Sequence, residues 1–271
     1  NSISNKGDTL IDYTVGMGGD FPKWIKAKLS FVFGIDKSKD NIENRLRGAC
    51  ARYLNYRKKF KVMPSALFVD GDSSMNIKDG SACRSEKGKQ LVRAVFGEGP
   101  KDKDKLGLGL YNNYGKGSDG FNISSCQFAL HYFFKDKQTI NSFLRNVSEC
   151  TKVGGYFIGG CYNGETIFNE LRNIEQGDML SIRDGTSKLL QITKDYNRSS
   201  FDANETSLGC HIKVFQETIN QEIGEYLVNF DYLIRLMENY GFSLLNNDEC
   251  KEIGIVESVG SFKQLYGLME H

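Results

Sequence analysis

Short apolar runs alternate with helix-patterned stretches along the first half of the chain, and that alternation decides most of what it can fold into. LIDYTV (10–15), FVFGID (31–36), SALFVD (65–70), FNISSCQFA (121–129) and GGYFIG (154–159) are rich in aromatic and β-branched residues. They read as strands, several of them apolar on both faces as buried parallel strands are. Between them, Ile42, Leu46, Ala49, Cys50, Tyr53 and Leu54 mark one face of a helix with Ser38 as its cap. Ile140, Phe143, Leu144 and Val147 follow helical spacing, and Phe230, Leu233, Ile234 and Met237 repeat it before a left-handed stop at Gly241. Strands and helices in this order imply right-handed βαβ units, hence an α/β fold with a mostly parallel sheet and helices on both faces.

Two stretches depart from the pattern. Residues 185–229 hold shorter strand-like pieces, among them CHIKVF and EYLVNF, which suit either an antiparallel sheet edge or an inserted lobe. Residues 75–120 separate the third and fourth strands by more than one crossover helix. Leu91, Val92, Val95 and Phe96 predict a short amphipathic helix there; the Gly-rich, charged remainder reads as a mobile surface insertion or a lid. Residues 1–271 otherwise form one expected domain, and the start at Asn1 without Met suggests a piece of something longer.

Charge and cysteine usage narrow the function classes. Lys and Arg total 35 against 34 for Asp and Glu, a net charge of +1. That excludes a globally basic protein while permitting a local basic groove. The seven cysteines form no CxxC pair, so neither a structural zinc nor a disulfide framework is expected, and an intracellular, reducing setting is the simpler reading. No metal site and no membrane segment are expected.

The ligand-binding signals sit at predicted strand ends. GMGGDFPKW (16–24) follows the first strand, and glycines at a strand-to-helix turn let a ligand approach the backbone. Asp36 ends the second strand, and Asp72 with Ser73 follows the third. Acids there suit ribose hydroxyls and an adenine amino group, which does not separate a nicotinamide cofactor from S-adenosylmethionine. Arg45, Arg47, Arg52 and RKKFK (57–61) offer phosphate contacts, or simply a solvated helix face. FNISSCQFALHYFF (121–134) places Gln127, His131 and Tyr132 at the end of an apolar run.

That last stretch resembles the fourth-strand motif F-D-x-x-S-x-Q-F-x-x-H-Y-x-F of the mRNA cap guanine-N7 methyltransferases. LRNVSECTKVGGYFIGGCYNGE (144–165), DYTVGMGGDFPKW (12–24) and GEYLVNF (224–230) are similar to further motifs of that family, in the family's order. The resemblance implies a Rossmann-like class I S-adenosylmethionine-dependent methyltransferase with an added antiparallel edge or cap-binding lobe around 185–229. Its expected activity is methyl transfer to N7 of the guanine cap of mRNA, with S-adenosylhomocysteine as co-product. The alternative is a weak or inactive module that holds capped RNA or a partner.

By the same resemblance, Asp12, Gly16 and Asp20 border the methionine part of the cofactor and Asp36 takes the ribose. Asp72 and Ser73 face the adenine, and Gln127 and Tyr132 also contact the cofactor. Phe128, His131, Tyr132 and Glu225 surround the guanine, Glu225 reading its Watson–Crick edge. These position the acceptor; no acid–base residue is implied, because N7 carries a lone pair and no proton.

Four positions depart from the family pattern. Met17 stands where the glycine loop usually has Lys, Thr14 and Val15 replace a Gly–Cys pair, and Tyr162 replaces a proline. The long insertion and the unusual loop resemble members from large DNA viruses, where the setting is a cytoplasmic replication site or the virion; cellular members imply the nucleus. Expected partners are capped mRNA and either other capping-enzyme domains or a stimulatory subunit. A lysine-bearing helix before Asn1 and a last strand after His271 are also implied.

Overall fold

The computed structural model describes residues 2–269. Asn1, Glu270 and His271, the ends of the expected domain, lie outside the described residues. Through the first half run β1 (Thr9–Asp12), α1 (Phe21–Lys26), β2 (Phe31–Asp36), α2 (Lys39–Glu43), α3 (Ala49–Lys59), β3 (Ser65–Asp70), α4 (Glu86–Val95), α5 (Lys103–Tyr111) and β4 (Phe121–Gln127). A 3₁₀ turn (Leu130–Lys135) leads into α6 (Lys137–Cys150), β5 (Thr151–Gly160) and α7 (Gly164–Glu170). Then come β6 (Met179–Asp184), β7 (Ser187–Lys194), β8 (His211–Gln216), β9 (Gln221–Tyr226), α8 (Phe230–Asn239), α9 (Asn247–Glu252) and α10 (Phe262–Met269).

The first five strands form one parallel sheet in the order β3-β2-β1-β4-β5. The order reverses between β1 and β4, and open α/β sheets bind ligands in the crevice beyond the strand ends at such a switch point. This is a doubly wound, Rossmann-like arrangement, as the alternation of strands and helices implies. One layer of core lies around Ile11, Phe33, Val92, Phe121, Phe143 and Leu144, another around Phe21, Trp24, Val32 and Ile42. β2 is buried along nearly its whole length, as its apolar sequence predicts.

The later strands form a second sheet, β6-β7-β8-β9, antiparallel throughout. It is a lobe with its own core around Phe168, Ile192, Tyr196, Ile212 and Leu227, not an edge of the first sheet. It starts at Met179, ahead of the expected boundary, and only the first two residues of EYLVNF are strand; Phe230 already opens α8.

One helical expectation needs correction, while the short helix expected at Leu91, Val92, Val95 and Phe96 is found as α4. The helix expected to run from Ile42 through Leu54 is two. Asn44 leaves helical geometry (ψ 122°), and its side-chain oxygen takes the amides of Leu46 and Arg47, competing with the backbone ladder. Leu46 is consequently 86% exposed instead of core. The 75–120 stretch is not a surface insertion throughout: Val92, Val95 and Phe96 of the α4 region are buried, so α4 serves as a crossover helix against the sheet. The charged remainder holds α5, bent at Gly107 (φ 71°), with no buried residue of its own.

Candidate active site

The glycine loop and three acids meet at the carboxyl end of β1 and β2. Gly16 and Gly18 take left-handed backbone angles (φ 54° and 74°), and a Cβ at Gly18 would collide with the Phe21 ring at 2.2 Å, so glycine is required there. The Gly16 amide donates to Asp36 Oδ2 at 2.8 Å, while Ser38 N and Asn41 Nδ2 donate to Oδ1 at 2.9 and 3.0 Å. Three of the about four lone-pair directions of Asp36 are therefore occupied, leaving room for one further donor.

Asp12 is buried and accepts the Thr14 amide at 3.1 Å. Burial raises its carboxyl to about 7; the Thr14 amide opposes the rise and the charges of Asp20 and Asp36 add to it. An acid held in this way favours a cation beside it. Asp20 itself pairs with Lys23 at 2.6 Å.

Asp72 follows β3 and pairs with Lys37 at 2.7 Å, while Ser74 donates to its Oδ1 from both amide and hydroxyl. Burial pushes its carboxyl up, but the Lys37 and Ser74 contacts outweigh it and leave the group below the usual range. Ser73 does not present its side chain to a ligand: the buried hydroxyl donates to the Tyr13 carbonyl at 2.7 Å.

The second group of residues bridges the two sheets. His131 lies in the 3₁₀ turn after β4, held by the buried neighbours Leu130, Phe133 and Phe134. Glu225 lies on β9, which packs against that turn. Both are almost fully buried, 6% and 8% exposed, and His131 Nε2 stands 3.7 Å from Glu225 Oε1. That is too long for a hydrogen bond. Both His131 ring nitrogens and Glu225 Oε2 are buried without a partner.

Burial lowers His131 to about 4 and raises Glu225 to about 7, so each drifts toward its neutral form. Tyr132 packs its ring on His131 at 4.2 Å and remains 43% exposed. Burial raises its hydroxyl, and the charges of Glu225 and then Asp36 raise it further, so both carboxylates lie within electrostatic reach of it. Gln127 ends β4 with its amide 3.5 Å from Ser125 Oγ. Phe128 turns outward and stacks on Phe262.

A family profile for the mRNA (guanine-N7)-methyltransferase domain matches residues 3–270. The chain belongs to this family. It is 27% identical to the "Probable mRNA-capping enzyme" of Acanthamoeba polyphaga mimivirus over 253 residues, 89% of this chain and 20% of that protein. It is also 27% identical to mRNA cap guanine-N(7) methyltransferase 1 of Arabidopsis thaliana, covering 88% of this chain and 54% of that protein. The Drosophila melanogaster mRNA cap guanine-N(7) methyltransferase matches at 27%, covering 88% and 47%. The chain thus spans about half the length of these cellular relatives and a fifth of the viral one. Among solved structures, an S-adenosylmethionine-dependent methyltransferase from Clostridium acetobutylicum superposes with a TM-score of 0.47 at 12% identity, covering 88% and 74%.

Within this guanine-N7 methyltransferase domain, two supports escaped sequence reasoning. Arg52 on α3 donates to the Met17 carbonyl at 2.9 Å and lies over the Phe21 ring, so a cation does steady the glycine loop, though from another helix. Asn146 on α6 is buried and ties down the turn after Asp72: its amide donates to the Ser73 and Met75 carbonyls at 2.8 and 2.7 Å and accepts from Ile77 N at 3.0 Å. An asparagine inside the apolar stripe Phe143–Leu144–Val147 was the available signal. Tyr162, at the departed proline position, accepts a hydrogen bond from Gln216 of β8, linking β5 to the lobe.

Proposed function

We propose that this chain transfers a methyl group from S-adenosylmethionine to N7 of the guanine cap at the 5′ end of mRNA. The observation that carries the reading is the His131–Glu225 pair: both His131 ring nitrogens and Glu225 Oε2 are buried without a partner, while His131 Nε2 stands 3.7 Å from Glu225 Oε1. Unsatisfied buried polar atoms are costly and call for a ligand that completes them. A guanine edge offers an N1–H and an amino group to a carboxylate, and a neutral histidine can donate or accept at its rim.

The residues at the first site fit the cofactor. Asp36 retains one acceptor direction for a ribose hydroxyl, the Asp72 turn suits the adenine, and Asp12 and Asp20 suit a cationic amino acid end. Gly16 lets the ligand approach the backbone, and Gln127 and Tyr132 border the same space. Bound S-adenosylmethionine supplies an electrophilic methyl group. The protein's own part is orientation and charge. Glu225 holds the acceptor ring in register, and its contact strengthens as positive charge develops on guanine. Tyr132 stays protonated within electrostatic reach of both carboxylates, and neutral His131 adds no competing charge. Tyr132 walls the acceptor, and no residue has to remove a proton.

The substrate partner is the capped 5′ end, with other domains of a larger capping enzyme or a stimulatory subunit beside it. A viral cytoplasmic or virion setting follows from the mimivirus likeness, a nuclear one from the cellular relatives. All seven cysteines are free thiols, which suits a reducing compartment. The direct test is transfer of labelled methyl to GpppA-capped RNA, with a 7-deazaguanine cap as the control that lacks the acceptor nitrogen. A folded chain that binds S-adenosylhomocysteine yet labels neither RNA, or labels both equally, overturns the assignment.

A further inference from the structure

Phe128 holds a left-handed backbone angle (φ 53°) that bulky residues rarely adopt, with its amide bonded to the Gly160 carbonyl at 2.8 Å. Strain of this kind persists where surrounding structure imposes it, and it clusters at ligand sites. The turn leaves the Phe128 ring 61% exposed. Against it lies Phe262 of α10, ring centroids 5.6 Å apart and planes 17° from parallel, itself 57% exposed. No other stacked pair among the described residues leaves both rings more than half exposed. A Cβ at Gly160 would touch both Phe262 Cζ and Gln127 Oε1 at 3.6 Å, so Phe262 stands at the carboxyl ends of β4 and β5, next to Gln127.

We infer that Phe128 and Phe262 form the stacking surface for the base of the first transcribed nucleotide, the one joined through the triphosphate to the cap guanine. The inference rests on the proposed cap methyltransferase function and assigns a second part of the substrate. Two kinds of base meet the enzyme at a capped end. The guanine is fixed, and reading it takes hydrogen-bonding groups such as Glu225 and His131. The next base varies, and its binding site has to accept any π-face without polar selection. A pair of exposed phenylalanine rings offers that and no hydrogen-bonding atom. Lys263, exposed beside Phe262 on α10, supplies a cation suited to the linking phosphates.

The test is equilibrium binding to the whole chain saturated with S-adenosylhomocysteine, using GpppA and Gppp-ribose, which differ only in the second base. The native chain is expected to prefer GpppA by about tenfold, the scale of one stacked base. Phe262→Ala and Phe262→Leu should bring the ratio close to one, and Phe262→Trp should keep it. Leucine keeps apolar packing on Phe128 while removing the ring, so a preference retained by Phe262→Leu means that Phe262 only packs, and overturns the inference. So does a native ratio near one, or failure to bind either ligand. Methyl transfer is scored separately: an intact binding preference without transfer refutes the cap methyltransferase reading and leaves the stacking surface standing.

Discussion

Replacing Glu225 with glutamine should stabilise the empty protein and cripple its reading of guanine. Burial moves the Glu225 carboxyl from 4.5 to about 7. Ionising it inside the fold therefore costs about 3 kcal/mol more than in water. The fold prefers the protonated acid, so this contribution to stability is complete below pH 4.5 and is lost as the pH rises to about 7. Glutamine has a similar shape and no charge to bury. At about pH 8 the variant should melt roughly 5 °C higher than the native chain, and at about pH 4 the two should coincide.

Cap recognition should move the other way. Inosine lacks only the 2-amino group of guanine, so GpppA against IpppA, in native and Glu225→Gln chains, forms a closed cycle. A hydrogen bond to a charged acceptor is worth about 1.5–3 kcal/mol, which predicts a native preference of roughly 10- to 100-fold for the guanine cap. The preference should shrink to a few-fold at most in the variant. Binding is read by titration calorimetry with S-adenosylhomocysteine present. Equal preferences in the two chains would refute the role of Glu225, and loss of S-adenosylhomocysteine binding would put it on the cofactor side.

Asp12→Asn should repeat the pattern at the other ligand. Burial raises Asp12 from 3.8 to about 7, so the variant should gain thermal stability above about pH 7 while losing more than tenfold in S-adenosylhomocysteine affinity, by calorimetry. Arg52→Gln removes the guanidinium donor to the Met17 carbonyl and should weaken S-adenosylhomocysteine about fivefold with guanine-over-inosine preference intact. Asn146→Leu orphans the Ser73 and Met75 carbonyls and the Ile77 amide; urea unfolding should show a loss of about 3 kcal/mol.

The parts of the site carried by one strand were legible in the sequence; those made by packing were not. β2 and β3 coincide with FVFGID and SALFVD, because a strand apolar on both faces has few other ways to be satisfied. Asp36 followed, since a strand end fixes where its last side chain lies; Asp12 came only from the family resemblance, because the expected first strand ran on to Val15 whereas β1 stops at Asp12. The inward turn of Ser73 depends on the Tyr13 carbonyl 60 residues away, and Arg52 reaches a loop 35 residues earlier; neither is visible in local patterning. The helix over Ile42–Leu54 failed for a local reason: the spacing was right, but Asn44 with Gly48 offered the backbone a better alternative than continuing.

The two halves of the site also draw on different parts of the fold. Asp12, Asp36 and Asp72 rest on the parallel sheet and the glycine loop, whereas Glu225 rests on the antiparallel lobe and meets His131 only because β9 packs on the 3₁₀ turn. That contact is seated by Gly209, whose amide donates to the Phe134 carbonyl at 3.0 Å and whose missing Cβ would stand 3.2 Å from the Lys135 carbonyl. It follows that loosening the lobe should separate the two activities. A lobe-core truncation such as Ile212→Ala, about 2–4 kcal/mol in a buried site, should raise the apparent dissociation constant for cap ligands before that for S-adenosylhomocysteine. Parallel loss of both affinities, followed by calorimetry as the temperature is raised, would mean that the lobe and the sheet unfold as one unit and that the acceptor pocket has no separate support.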